Sequence, residues 1–235
     1  MSSGKPLVSI VIPVLDDDAA LTRVLAQLTD QDDVEVVVVD GGSQDESRRV
    51  AGAANRVVDS ASGRARQLKV GVAAARGTFI WMVHADSGIT PELLNQIRRS
   101  AADLSVRWGR VDVRLAGDAL AYRVIEWSMN WRSRLTGICT GDQGIFVRRE
   151  LLELIGGMPQ QALMEDIELC KKLRRLAVPR RLSGPIETAV RRWERRGVLR
   201  TVLEMWYFRL AYFFGADPER LAARYDLHSD LDSDA

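Results

Sequence analysis

The sequence predicts an α/β fold, in which a mostly parallel sheet is flanked by helices and followed by a C-terminal helical extension. In the first half, short apolar runs alternate with segments of helical periodicity. These runs are rich in Val and Ile and contain few polar residues, which is typical of strands buried on both faces. The chain of 235 residues is 46% hydrophobic, which is enough to build one core without disulfides or metals.

The first half has the order βαβα. Its predicted strands cover residues 7–14, 34–39, 56–59 and 78–83. Asp18 can cap a first helix, a second helix is predicted over 64–75, and Thr90 and Pro91 can open a third. Strands that alternate with helices in this way are typical of a parallel sheet.

The second half is predicted to be more helical. Its strands cover 108–115 and 144–147, and its helices cover 120–135, 149–155, 164–176 and 195–214. We expect one domain over residues 1–190, with 191–225 as a helical extension of it. Residues 226–235 contain four aspartates and no base, so we expect a disordered acidic tail.

The net charge is near zero, with 33 basic and 32 acidic residues, but its distribution is uneven. Residues 1–60 are acidic, whereas residues 171–209 hold twelve bases and three acids. Such a basic stretch can meet an anionic membrane, a phosphorylated ligand or nucleic acid, or it can be a solvated helix face. It carries no recognisable nucleic-acid docking motif, so we expect no nucleic-acid partner.

The cysteines and the apolar segments indicate where in the cell the protein is expected to be. Cys139 and Cys170 are far apart in sequence, and no apolar leader precedes the first strand, so we expect buried thiols in a reducing cytoplasm. The longest apolar stretch, 198–214, contains three charged residues, so we expect no membrane-spanning helix.

Acidic residues follow three of the predicted strands. Residues 16–18 are aspartates, Asp40 precedes two glycines and Ser43, and His84 and Asp86 follow the fourth strand. Ligands bind beyond the carboxyl ends of parallel strands. The glycine-rich motifs of dinucleotide and P-loop sites are absent. Acids at this edge therefore favour a nucleotide held through its base and ribose, with its phosphates on Mg²⁺ or Mn²⁺.

Four stretches together resemble the signature of glycosyltransferase family 2. They are residues 9–17 (SIVIPVLDD), 36–47 (VVVVDGGSQDES), 84–86 (HAD) and 164–166 (MED), in the family's order. Residues 63–67 (GRARQ), 141–143 (GDQ) and 191–195 (RRWER) further resemble a small soluble bacterial subgroup that is sometimes linked to arsenosugar formation. The resemblance covers about residues 7–180.

The resemblance implies a GT-A fold, which is Rossmann-like, and inverting, metal-dependent transfer of a sugar from a nucleoside diphosphate to a hydroxyl acceptor. It implies Asp166 as the general base and Asp86 as the metal ligand. Together with the helix opened by Gly63, it implies a donor-nucleotide site formed by Pro13, Asp16, Asp40, Gly42, Arg64, Arg66, Gln67 and Ala85. We expect a donor-sugar or acceptor site formed by Gly141, Asp142, Gln143, Glu165 and Trp193. Arg191 and Arg192 are candidates to contact the diphosphate.

The sequence departs from the family pattern at several positions. Asp16 and Asp17 stand where the family commonly has Asn-Glu, and His84 stands where the metal motif often has Asp. Lys69 replaces a usual Asn. Ala189 replaces the Gln of the processive relatives, which disfavours synthesis of a long polymer.

Alternative interpretations remain open from the sequence. Trp193 can belong to the core, and Arg64 and Arg66 can lie on a solvated helix face. The 199–214 helix can pack on the sheet, form a homodimer or rest peripherally on a membrane. A degenerate relative that binds nucleotide, sugar or membrane without turnover is a further alternative. A nucleotidyltransferase is disfavoured because the Gly- and Arg-rich loop expected after its first strand is absent.

Overall fold

The computed structural model describes residues 5–28 and 31–230. Within this part of the chain, eight strands form one sheet in the order β3-β2-β1-β4-β7-β6-β8-β5. The strands are β1 (Val8–Val14), β2 (Val34–Asp40), β3 (Arg56–Asp59), β4 (Phe79–Met82), β5 (Ser87–Gly88), β6 (Trp108–Leu115), β7 (Phe146–Arg148) and β8 (Arg180–Thr188).

The helices flank the sheet and continue after it. They are α1 (Asp18–Ala26), α2 (Ser47–Ala51), α3 (Arg64–Ala74), α4 (Pro91–Ala102), α5 (Leu120–Thr136), α6 (Arg149–Leu154), α7 (Glu165–Leu173), α8 (Arg191–Arg196), α9 (Val198–Phe213) and α10 (Pro218–Asp230). A short 3₁₀ helix covers Gly141–Gln143. The predicted α/β class with a C-terminal helical part is confirmed.

The first four strands pair in parallel, in the order β3-β2-β1-β4. Alternate residues of β1 enter different cores: Ile10 and Ile12 pack with α1 and α4, whereas Val11 packs with α3 and α7. Helix α3 approaches the sheet closely, because a Cβ at Gly71 would lie 2.6 Å from Val39 Cγ2. Helices therefore cover both faces of the parallel part, as the apolar strands predict.

The second half of the sheet is mixed. Strand β7 is antiparallel to β4 and β6, while β8 is parallel to β6 with an irregularity between Val111 and Val113. Strand β8 was not predicted, because it alternates exposed charged residues with few buried apolar ones, such as Leu182 and Ile186. It fills the sheet between β6 and the two-residue strand β5.

The C-terminal extension differs from the predicted single helix over 195–214. Gly197, with φ of 79°, separates α8 from α9. The predicted disordered tail over 226–235 is corrected for its first five residues, because α10 continues to Asp230. Pro218 opens α10, and the Asp217 carboxylate accepts a hydrogen bond from the Glu219 N–H. Residues 231–235 lie outside the described part of the chain.

The two cysteines meet in the core between the 3₁₀ helix and α7. Cys139 and Cys170 are both buried, and their sulfurs lie 3.3 Å apart without a disulfide bond. The contact with the Cys139 sulfur, together with burial, raises the pKa of the Cys170 thiol well above its ordinary value. Among the described helices, none is long and apolar enough to cross a membrane.

Candidate active site

A cavity opens at the carboxyl ends of β1 and β4, where α3 and α7 begin. Its polar lining comes from four separate parts of the chain, and consists of Arg64, His84, Gly141, Glu165 and Asp166. Its apolar lining is Pro13, Leu68, Met82, Val83, Ile145, Met158 and Leu169. A concave, largely apolar wall with a few convergent charged groups is the usual form of a small-molecule site.

An arginine and a buried carboxylate face each other in this cavity. Arg64 begins α3, and its Nε lies 3.4 Å from Glu165 Oε1. The Glu165 side chain is only 5% exposed. Burial raises the pKa of its carboxyl, and Arg64 opposes this rise while the neighbouring Asp166 adds to it. Glu165 therefore serves as the counter-ion of Arg64 rather than as a free carboxylate.

Asp166 is the more accessible carboxylate of the pair. Its Oδ2 accepts a hydrogen bond of 2.9 Å from the Gly141 N–H. The preceding Met164 has φ of 63°, a left-handed conformation that is uncommon for a residue other than glycine. Such backbone strain clusters at functional sites. The turn at Met164 starts α7 so that Asp166 reaches the loop at Gly141.

Gly141 leaves no room for a side chain. A Cβ at this position would overlap the Arg64 guanidinium and would lie 2.8 Å from His84 Nε2. The glycine therefore allows the 3₁₀ helix to approach α3 and the end of β4. This close approach brings together residues 63–67 and 141–143, which are more than seventy positions apart in the sequence.

Asp86, Asp142 and His84 carry donor atoms of the kind that bind a divalent metal. Burial raises the pKa of Asp86, and the Asp142 charge adds to this rise. Burial lowers the pKa of His84 well below its ordinary value, so the imidazole is neutral near pH 7. His84 Nε2 is buried without a hydrogen-bond partner and lies 3.7 Å from Asp142 Oδ1. A neutral ring nitrogen and two carboxylates are suitable donors for a divalent ion.

These donors do not by themselves complete a coordination shell. Within residues 5–28 and 31–230, no group of three or more His, Cys, Asp or Glu side chains is arranged to hold a metal. Mg²⁺ is commonly bound through one or two carboxylates, with substrate phosphates and water supplying the rest. The residues present fit an ion that is bound jointly with a diphosphate.

Asp40 ends β2, where it pairs with Val14 of β1, and is 2% exposed. Its carboxylate accepts hydrogen bonds from Ser43 Oγ at 2.6 Å and from the Gly42 N–H at 3.3 Å. Asp16 is exposed at the adjoining rim, with φ of 49°, and accepts a hydrogen bond of 2.6 Å from the Gln44 N–H. The two predicted nucleotide contacts thus belong to neighbouring loops.

Asp17, the residue after Asp16, pairs with Arg191. Asp17, rather than the predicted Asp18, caps α1 by accepting a hydrogen bond from the Ala20 N–H. Its Oδ2 lies 2.6 Å from Arg191 Nη2, in α8. Arg191 also opposes the rise in the pKa of Asp86. Arg191 is therefore positioned beside the candidate metal group, whereas the side chain of Arg192 lies outside the described part.

Several predicted site residues face away from the cavity. Gln67 is buried and donates hydrogen bonds to the carbonyls of Val14 and Val39, so it joins β1 and β2. Gln143 is fully buried and donates to Ser133. Both amides hold the backbone of the site, and the prediction that they contact substrate is corrected.

Trp193 and Arg66 also differ from their predicted roles. Trp193 is 8% exposed and packs with Leu115, Tyr122 and Val190, so its ring is not available to stack on a sugar. Arg66 is exposed on the outer face of α3 and does not line the cavity. Of the remaining predicted residues, Ala85 is buried at the strand end, and Gly42 has open space around it.

Arg132 was not predicted from the sequence to lie near the site. It lies on α5, its Nε and Nη2 are buried without a hydrogen-bond partner, and the charges of Asp166 and Asp142 act on it. Burial lowers the pKa of its guanidinium, and the two carboxylates oppose this. The helical spacing offered a signal, since Met129 and Ser133 place Arg132 near the inner face of α5.

Comparison with known proteins gives a family and a fold. Residues 9–152 match the profile described as Glycosyl transferase family 2. An uncharacterized protein of Mycobacterium tuberculosis is 28% identical over 131 residues, which are 52% of this chain and 41% of that relative. The chain thus spans less than half the length of this curated relative.

The solved structures that are similar to this chain include glycosyltransferases. Staphylococcus aureus TarS, residues 1–349, is 20% identical with a TM-score of 0.63, over 77% of this chain and 60% of that one. The Pyrobaculum calidifontis mannosyltransferase PcManGT, solved with GDP-Man and Mn²⁺, is 23% identical with a TM-score of 0.61, over 89% and 62%. Glucosyl-3-phosphoglycerate synthase of Mycobacterium tuberculosis, solved with Mg²⁺ and UDP, is 19% identical with a TM-score of 0.56, over 79% and 71%. These likenesses give the chain the GT-A fold.

Proposed function

The chain belongs to glycosyl transferase family 2, and from this premise we propose that it is a metal-dependent, inverting glycosyltransferase. It moves a hexose-type sugar from a nucleoside diphosphate donor to a hydroxyl of an acceptor. The observation that carries the proposal is the Asp166 carboxylate, which lies in the same cavity as Arg64 and is held by the Gly141 N–H. The UDP and GDP-Man complexes of the similar structures support a donor of this class.

Asp166 acts as the general base. It takes the proton of the acceptor hydroxyl while that oxygen attacks the anomeric carbon from the face opposite the leaving group. The hydrogen bond from Gly141 fixes the carboxylate in one orientation. Glu165 is paired with Arg64 and is nearly buried, which leaves Asp166 as the carboxylate available for this role. A positioned base contributes roughly 10² to 10⁴ in rate.

The donor lies across the strand ends. Asp40, Asp16 and Gly42 belong to the loops that accept the base and ribose, and Pro13 and Ala85 belong to the adjoining strand ends. Arg64, in the first turn of α3, and Arg191, which pairs with Asp17, contact the leaving phosphates in this proposal. Fixed cations at these places stabilise the negative charge that grows as the glycosidic bond breaks.

Asp86 would hold the divalent cation, with Asp142 near it and the neutral His84 at 3.7 Å from Asp142. The chemistry that a bound Mg²⁺ or Mn²⁺ supplies is Lewis-acid stabilisation of the leaving diphosphate. The buried, unpartnered His84 Nε2 supports this assignment, because a polar atom in such a place normally has a partner.

The test is the thermal stability of the purified protein with UDP, GDP, CDP or dTDP, each in Mg²⁺, Mn²⁺ or chelator. A ligand at about 100 times its Kd adds about 2.7 kcal/mol to the free energy of unfolding, which for a chain of this size raises Tm by roughly 5–11 °C. We expect one nucleotide to raise Tm, and chelator or Asp86→Asn to remove most of the rise.

The matched control is Asp32→Asn, an exposed acid in the turn before β2, at the opposite end of that strand from Asp40. It should keep the whole nucleotide response. No response to any nucleotide, in protein shown by circular dichroism to be folded, would contradict the donor site and favour the non-catalytic alternative.

A further inference from the structure

Two helices carry long apolar faces that are exposed to solvent. On α5 the exposed large residues recur every three or four positions; they are Leu120, Val124, Trp127, Trp131 and Leu135, between 44% and 83% exposed. On α9 and its end they are Leu199, Leu203, Trp206, Tyr207, Leu210, Phe213 and Phe214, between 44% and 80% exposed. Exposed apolar surface on this scale marks an interaction site.

The two helices are neighbours. The inner face of α5 supplies Tyr122 to a small core, and Val198, Val202 and Met205 on the inner face of α9 pack against that core. The apolar residues on the outer faces are therefore not needed to hold the helices together. We refer to the twelve exposed residues as the α5–α9 surface.

The charges on these helices are sorted by sign. Their two carboxylates point inward: Glu126 is 12% exposed and pairs with Arg123, and Glu204 is 10% exposed and pairs with Arg196. The exposed charged side chains that α5 and α9 themselves carry are those of arginines, Arg134 on α5 and Arg200 on α9. Arg134 also lies over the Trp131 ring, at 5.5 Å from its centroid.

This sorting favours a lipid surface over a second copy of the chain. In a twofold dimer the same patch faces itself, so arginines would face arginines with no carboxylate of α5 or α9 to pair with them. An anionic bilayer presents negative headgroups around an apolar interior. Trp, Tyr and Arg at the edge of an apolar helix face are the composition of helices that lie in the membrane interface.

We propose that the protein docks peripherally on an anionic lipid bilayer through the α5–α9 surface, with its apolar residues in the interface and Arg134 and Arg200 at the headgroups. Docking would fix the orientation of the cavity, because α9 is joined to α7 by a hydrogen bond of 3.0 Å from Tyr212 Oη to Glu168. The docking itself does not depend on the proposed transfer activity.

The test is co-sedimentation at low salt with vesicles of phosphatidylglycerol and phosphatidylcholine in equal parts, and with vesicles of phosphatidylcholine alone. We expect binding to the anionic vesicles, weaker binding to the neutral ones, and loss of affinity as salt is added. The double variant Leu203→Ser, Trp206→Ser should bind at least about tenfold more weakly, because each large apolar side chain contributes on the order of a decade.

The control is Leu104→Ser with Leu154→Ser, which removes two exposed leucines carried by other elements. It should bind vesicles as the unchanged protein does, and circular dichroism should give the same Tm for both variants. The proposal is overturned if folded protein ignores anionic vesicles, or if the control weakens binding as much as the α9 variant. It is also overturned if the α9 variant only dissociates a dimer in analytical ultracentrifugation.

Discussion

At the scale of single residues, the site depends on contacts that no local pattern reveals. The sequence predicted Asp166, Asp86 and Arg64 through a combination of motifs. It could not predict that Glu165 would neutralise Arg64, or that Gln67 and Gln143 would turn inward to hold strand ends and the 3₁₀ helix. These outcomes depend on which side of a helix or loop meets a partner distant in sequence.

Gly141 gives the first prediction. Gly141→Ala places a methyl group against the Arg64 guanidinium and His84 Nε2. The end of the Arg64 side chain can move aside, so we expect a stability loss within about 1 kcal/mol. A displacement of the arginine by about 1 Å should lower the rate of nucleoside diphosphate release by about a hundredfold. Steady-state kinetics and urea unfolding together check this, and an unchanged rate would contradict the proposed role of Arg64.

Glu35 gives a prediction about pH. It is 2% exposed, and its carboxylate accepts hydrogen bonds from Ser9 Oγ at 2.6 Å and the Arg76 N–H at 2.7 Å. Burial alone would raise its pKa, but these hydrogen bonds and the Arg76 charge outweigh burial and lower it below its ordinary 4.5. A lowered folded-state pKa adds stability above pH 4.5 that is lost as pH falls through the folded pKa.

Glu35→Gln should therefore lower the free energy of unfolding at pH 7 by about 1–3 kcal/mol, because hydrogen bonds to a charged group are lost. As pH falls below 4.5, the difference in free energy of unfolding between the variant and the unchanged protein should narrow. Urea unfolding at pH 7 and at successively lower pH measures it. A gap that stays constant across this range would mean that the ionised carboxylate is not the stabilising form.

At the scale of elements, strands with unbroken apolar runs were predicted from the sequence, whereas a strand that mixes exposed polar with apolar residues was not. Strands β1 and β2 were predicted within one residue at each end. Both faces of each strand are buried, and this requires the unbroken apolar runs seen in the sequence. Strand β8 was missed because its alternation has many arginines and few apolar residues. Its place is set by pairing with β6, which is a long-range interaction.

The C-terminal helices illustrate the same limit. The apolar spacing of 199–214 predicted a helix, but not which side of it would be covered. Trp193, Thr201 and Phe208 are buried by packing, whereas the outer face of α9 is exposed. The break at Gly197 follows from its positive φ, which a helix cannot continue through.

At the scale of the whole molecule, the fold gathers chemistry that is scattered along the sequence. The parallel strands bring residues 13, 40 and 84–86 to one edge, as the order of elements predicted. The return of the chain through the 3₁₀ helix and α7 adds Gly141 and Asp166, and α8 adds Arg191. This edge of the sheet is the proposed site of sugar transfer, with Asp166 as the base.

The most direct test is the rate of sugar transfer by Asp166→Asn, measured as nucleoside diphosphate release from the sugar donor that carries the nucleotide found by thermal stability. We predict a fall of roughly 10² to 10⁴ relative to the unchanged protein. The Kd for the nucleoside diphosphate, measured by calorimetry, should stay within about twofold because the substitution removes a base and not a phosphate contact. A variant that releases nucleoside diphosphate at the rate of the unchanged protein would contradict the account.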